Sequence, residues 1–175
     1  MNASPAGDSL PALLVYEAEL LLVSARGERR VPYTGFHINY RATQIAPDEL
    51  IRAICLKRRF PEYYAQARKV AARNAQAIAK ICLAALGRLT DGVVEDIRLA
   101  MGSVAPVPLR LTGTERIVKG KRIDPLLVQL ARTTAAAEVR PIDDVRSSAR
   151  YRAVVAGNLV AEYLGQLSAV EMKHE

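Results

Sequence analysis

Ile81-Cys82-Leu83-Ala84-Ala85-Leu86-Gly87-Arg88-Leu89-Thr90-Asp91-Gly92-Val93-Val94-Glu95-Asp96-Ile97-Arg98-Leu99 is the stretch on which the fold turns. Asp-Gly between two apolar runs is a strong hairpin signal, because a tight two-residue loop needs positive φ at both central positions. The residues leading into it, 63–89, are rich in Ala, which favours helix. Ile78, Ile81, Cys82 and Leu86 also fit a buried strand, and periodicity does not separate short apolar runs of the two kinds. The reading adopted is a hairpin with arms on either side of Gly92, and a short helix or loop near Asn74.

Working outward toward the N-terminus, residues 2–9 form a small-residue loop. Asp8 or Ser9 can cap a short helix over residues 10–15, with Pro11 in its first turn. Residues 19–24 have strand length, 25–28 read as a turn and 29–32 as a return strand. Residues 33–43 are an aromatic-rich loop, 50–56 a strand and 57–61 a charged connection. On the other side, Pro106 and Pro108 hold residues 105–108 extended. Residues 109–118 are a helix candidate ending at Gly120. Asp124 can cap a second helix that begins at Pro125 and reaches Glu138, and Pro141 breaks it. Asp143 or Asp144 can cap a third, where Tyr151, Val154, Val155, Leu159, Tyr163 and Leu164 follow helical spacing. Residues 172–175 read as a frayed tail. Strands precede helices, so the class is α+β with segregated layers.

The bulk numbers bound the function. The 175 residues suffice for one domain, with or without an appended piece. With two Phe and no Trp, the core must be built from Ala, Leu, Val and Ile. No apolar run approaches the ~20 residues of a bilayer span, and residues 1–9 lack the basic cluster of a signal peptide. No membrane association is expected. Cys55 and Cys82 stand far apart and make no disulfide framework, so a reducing cytoplasm is the expected compartment. Lys and Arg total 25 against 18 acids, giving +7. These charges fall in scattered groups, and among those at 116–122 and 146–152 Tyr151 alone is aromatic, too little for a stacking platform, so solvated faces and a docking surface are preferred to nucleic-acid binding.

No autonomous active site is legible. His37 and His174 have no companions at metal-ligand spacing. Gly-x-Ser-x-Gly, the P-loop and Gly-x-Gly-x-x-Gly do not occur. No catalytic and no metal-binding residue is assigned. A dinucleotide diphosphate is usually held by clustered backbone N–H groups that glycines allow to approach, and the glycines here are isolated.

Four stretches together resemble the flavoprotein (medium) subunit of the xanthine dehydrogenase and carbon monoxide dehydrogenase family. They are Asn2-Ala3-Ser4-Pro5-Ala6-Gly7-Asp8-Ser9-Leu10-Pro11-Ala12-Leu13; residues 36–56, with Tyr40-Arg41 and Pro47-Asp48-Glu49-Leu50; Arg68-Lys69-Val70 through Ala75-Gln76-Ala77-Ile78-Ala79-Lys80 to Gly102-Ser103-Val104-Ala105-Pro106; and Ile142-Asp143-Asp144-Val145-Arg146-Ser147-Ser148-Ala149-Arg150-Tyr151-Arg152. They come in the family's order and spacing. Two details depart from it: Asn39-Tyr40-Arg41-Ala42 replaces Gly-Tyr-Arg-Lys, and Lys57-Arg58-Arg59 replaces an apolar-Pro ending.

The resemblance implies a three-stranded antiparallel sheet packed against a helical layer over residues 44–167. Residues 1–43 would be a remnant of the second FAD-binding subdomain, and 168–175 a tail. It settles residues 63–89 toward strands. It implies a subunit that takes electrons from a molybdenum site through iron–sulfur clusters, and whose FAD passes them to NAD or another acceptor. The implied partners are a molybdenum-cofactor large subunit and a 2Fe-2S small subunit, and a homo-oligomer is compatible with it. The implied flavin-contacting residues are Asp8 as a hydrogen-bonding carboxylate, Ile51 as a main-chain or apolar contact, and Lys69 as a cation near the flavin or its phosphates. A plainer role is open to each: helix cap, core residue and solvated lysine. The family's glycine-rich phosphate loops would precede residue 1, so this polypeptide alone is expected not to hold FAD. The second hypothesis is a non-enzymatic docking module for the same complex, and the third a basic nucleic-acid binder.

Overall fold

The computed structural model describes residues 3–74 and 76–171. Met1, Asn2, Ala75 and the tail expected at 172–175 lie outside them. The class is α+β, with antiparallel sheets and a helical layer.

Helix α1 (Leu10–Val15) opens the chain, followed by β1 (Glu19–Ser24) and β2 (Gly27–Pro32). Neither expected cap is made: Ser9 stands at the N-cap without a side-chain hydrogen bond, and Asp8 is engaged elsewhere. The loop expected at 33–43 contains a small hairpin, β3 (His37–Asn39) and β4 (Ala42–Thr43). Next comes β5 (Leu50–Cys55), which pairs with β1 on the edge opposite β2, giving the order β2-β1-β5. β5 thus lies beyond residue 43 yet is hydrogen-bonded to the N-terminal strands.

The second sheet is β6 (Tyr64–Val70), β7 (Ile81–Thr90), β8 (Val93–Gly102) and β9 (Leu109–Arg110), in that order. The three expected strands are present, and β9 adds a two-residue fourth where the sequence suggested the start of a helix. α2 begins only at Thr112, because Leu109 and Arg110 pair with Met101 and Ala100. Asp91 and Gly92 both have positive φ, +52° and +75°, as the tight hairpin requires.

β7 is buried continuously from Ile81 to Gly87. Its alternation nevertheless survives, divided between two cores. Ile81, Leu83 and Ala85 join Leu99, Met101 and the helices, while Ala84 and Leu86 join α1, Leu20, Leu22 and Phe36. A strand covered on both faces reads as an unbroken apolar run, and its Ala content is what thin spaces on two sides demand.

The helices are α2 (Thr112–Val118), α3 (Pro125–Glu138) and α4 (Ala149–Glu171). Asp124 caps α3 as expected, accepting from the Leu127 N–H at 2.7 Å. The start of α2 is capped from α3: the Glu138 carboxylate accepts from the N–H groups of Gly113 and Thr114, each at 2.9 Å. α4 continues to Glu171, through part of the expected tail. It is long and apolar enough to span a membrane by composition, but Ala156, Val160, Tyr163 and Leu164 are fully buried against β7 and α3. Tyr163 stacks on Tyr64 at 5.8 Å and its hydroxyl donates to the Tyr64 carbonyl at 2.9 Å. Gly87 makes room, since a Cβ there would lie 2.6 Å from the Tyr163 oxygen.

The link between the sheets is clamped. Phe60 packs edge-on to Tyr16 and Tyr63, at 5.6 and 5.1 Å, with the Arg98 guanidinium over its ring at 4.8 Å. Glu17 pairs with both Arg59 and Arg98, and Asp96 accepts from Arg98, Lys119 and Tyr63. α1 is thereby fixed relative to β8.

Candidate functional site

Fixing α1 also fixes the loop before it. Lys69, near the end of β6, donates its ammonium to Asp8 at 2.6 Å across 61 positions of sequence. Both side chains stay partly open, 37% for Lys69 and 51% for Asp8, so each keeps hydrogen-bonding capacity for a further group. Asp8 is therefore not a helix cap and Lys69 not a free lysine.

The floor beneath the pair is closed. Lys69 lies opposite Cys82, and Cys82 opposite Gly102. A Cβ on Gly102 would stand 2.7 Å from the Cys82 sulfur and 3.5 Å from the Pro5 carbonyl, and that carbonyl accepts from the Ser103 N–H at 3.2 Å. Burial pushes the Cys82 thiol up to about 11, with the Gly102 backbone opposing it and Asp8 adding to it. Cys82 is a small apolar packing group, as its sequence context suggested.

Ile51 is not part of this contact. It belongs to the other sheet, opposite Leu22 on edge strand β5, and is 36% exposed. It is therefore not a core residue. Its neighbour Leu50 is 71% exposed.

On the far side of Pro5 opens a cavity of about 430 Å³ that the sequence did not reveal. Its wall includes Pro5, Tyr40, Ile78, Ile142 and the arginines Arg41 and Arg140. These come from four separate segments, so no spacing could signal them. Arg41 has positive φ, +56°, at the turn between β3 and β4.

His37 and the two cysteines take structural places, and His174 lies outside the described residues. The His37 Nε2 lies 3.1 Å from the Tyr33 hydroxyl, and burial lowers its basicity. Among the described residues no group of three or more His, Cys, Asp or Glu side chains converges as a metal site. Cys55 and Cys82 are free thiols.

Comparison with known proteins supplies the context for this geometry. Residues 66–167 match the model of the CO dehydrogenase flavoprotein C-terminal domain, and residues 1–59 match that of the FAD binding domain in molybdopterin dehydrogenase. The xanthine dehydrogenase FAD-binding subunit of Escherichia coli O157:H7 is 30% identical over 152 residues, covering 86% of this chain and 52% of that one. The carbon monoxide dehydrogenase medium chain of Hydrogenophaga pseudoflava is 30% identical over 159 residues, covering 90% and 55%. A solved carbon monoxide dehydrogenase of Hydrogenophaga pseudoflava, which lacks the Mo-pyranopterin moiety, superposes with a TM-score of 0.86 at 27% identity, over 92% of this chain and 56% of that one. Quinoline 2-oxidoreductase from Pseudomonas putida 86 shares the fold, with a TM-score of 0.87 at 19% identity over 98% and 59%. The chain thus spans about half the length of the relatives it matches. It belongs to the family of FAD-binding medium subunits of the xanthine and carbon monoxide dehydrogenases, of which it carries the CO dehydrogenase flavoprotein C-terminal domain.

Proposed function

We propose that this chain forms one wall of a flavin site in a molybdenum-hydroxylase-type oxidoreductase, where FAD takes electrons relayed from iron–sulfur clusters. The observation that carries the reading is the Asp8–Lys69 pair. It joins two residues that the family resemblance implies at the flavin, and it leaves both half open. A carboxylate and an ammonium so placed can turn toward the hydroxyls and phosphates of a dinucleotide. Ile51 offers an apolar edge from the other sheet. FAD, when bound, supplies the electron-accepting ring; the chain's own residues orient it and close one side.

In this reading the chain acts with a molybdenum-cofactor large subunit and a 2Fe-2S small subunit. Two free thiols agree with a reducing cytoplasm. In this reading the wall alone does not retain FAD through purification, and at most touches it weakly in a titration, because the amide cluster for the diphosphate is not among its residues. FAD titration followed by fluorescence quenching tests the site. Weak, unsaturated quenching that Lys69→Ala and Asp8→Ala abolish is the expected result. Equal quenching in all three proteins overturns the site, and near-stoichiometric flavin absorbance in the purified chain overturns the single wall. No quenching in any of them leaves the second reading, a docking module without a cofactor.

A further inference from the structure

The turn between α3 and α4 is held more firmly than a surface connection requires. Asp144 Oδ1 accepts from the backbone N–H of Arg146 at 2.8 Å, from that of Ser147 at 3.1 Å, and from Arg152 Nη2 at 2.6 Å. Arg152 is only 4% exposed and donates also to the Ile142 carbonyl at 3.3 Å. Asp143 accepts from the Ala149 N–H at 2.6 Å, and Ser148 Oγ from the Tyr151 N–H at 3.2 Å. These bonds make the α4 N-terminus and the turn one rigid piece. They hold the Asp144 carboxyl below the usual carboxylate range, Arg152 first among the causes.

What this piece presents is apolar. Val145, at its tip, is 100% exposed, and Ile142, Val154 and Tyr151 are 69%, 49% and 43% exposed. Arg150, Tyr151 and Val154 fall within one arc of α4 by helical spacing. A single exposed apolar side chain is ordinary. Several on a pre-ordered support mark a surface that another molecule covers, since little conformational freedom is left to lose on binding.

The charges select the partner. Both carboxylates of the turn are engaged within it. The cations remain outward: Arg150 has no carboxylate partner among the described residues, Arg146 is shared with Asp144 at 3.3 Å, and the Lys80 ammonium stands over the Tyr151 ring at 5.5 Å. An apolar tip with a positive rim complements an apolar socket with an acidic rim. A second copy of this chain, at +7, would meet it with like charge.

We propose that residues 142–154 are the docking surface for a companion subunit that presents an apolar socket rimmed by carboxylates. This rests on the reading that the chain works in a multi-subunit complex. The probe is the large and small subunits of that complex, co-expressed with the tagged chain. Val145→Asp should lower their recovery at least tenfold with an unchanged thermal midpoint, because Val145 buries nothing. Leu126→Asp, 81% exposed at the far end of α3, should recover both subunits like the wild type. Equal recovery by Val145→Asp and wild type overturns the surface, as does equal loss in both variants. If the wild type recovers neither subunit, the complex reading fails and the surface with it.

Discussion

β5 and β7 are both apolar segments of strand length, yet they end in opposite surroundings. Every residue of β7 from Ile81 to Gly87 is buried, whereas Leu50 and Ile54 of β5 are 71% and 50% exposed. β7 lies between two hydrogen-bonded neighbours and between two cores. β5 has β1 on one edge and, among the described residues, no strand on the other. Apolar composition therefore states that a strand wants cover, and says nothing about whether this polypeptide provides it. An uncovered apolar edge is the place where another strand or chain adds on.

The largest expected effects lie on the β7–β8 side. Leu99→Ala, at a fully buried position in β8, should cost about 2–5 kcal/mol in urea unfolding. Ile54→Ala in β5 should stay within about 0.5 kcal/mol. Similar costs for the two would break the comparison. Gly87→Ala should follow at roughly 1–3 kcal/mol, as overpacking against Tyr163. Because the phenol oxygen at 2.6 Å shares the obstruction with the Leu167 Cδ2 at 2.7 Å, Tyr163→Phe combined with Gly87→Ala should recover only part of that loss in a double-mutant cycle.

The smallest effect concerns acid, and it sits on the β5 side. Glu49, just before β5, is held at about 2 by its hydrogen bond from Arg29, then by that from the Ala46 N–H. Its folded value lies below the ordinary 4.5. The stability it adds is therefore present above about 4.5 and lost as pH falls through about 2. Thermal midpoints measured down this window should fall less steeply for Glu49→Gln than for the wild type. Parallel slopes would show that the pair, with Arg29 46% and Glu49 8% exposed, adds nothing measurable.

The hairpin at Asp91-Gly92, the Asp124-Pro125 helix start and the strands at 19–24 and 29–32 were legible because each is set by local chemistry: positive φ, an orphan N–H, alternation. The start of α2 was not, since Leu109 and Arg110 look like helix formers until β8 offers them hydrogen bonds. The caps at α1 and α4 were half legible. Asp8 and Ser9 have the right chemistry for a cap, but Asp8 finds a stronger partner in Lys69, while Asp143 does reach the α4 N-terminus with Ser148 beside it. Of the candidate site, Asp8, Ile51 and Lys69 came from family likeness and not from spacing. The structure joins two of them and leaves Ile51 on the other sheet.

The amino-acid order by itself determined the Asp91-Gly92 hairpin, the Asp124-Pro125 helix start and the strands at 19–24 and 29–32, because these depend on neighbours a few positions apart. Only the tertiary structure decided that β5 belongs to β1, that β7 feeds two cores, and that Asp8 meets Lys69 across 61 positions. Such contacts depend on which surfaces pack together, and that is settled by burial over the whole chain and not by any local run of residues.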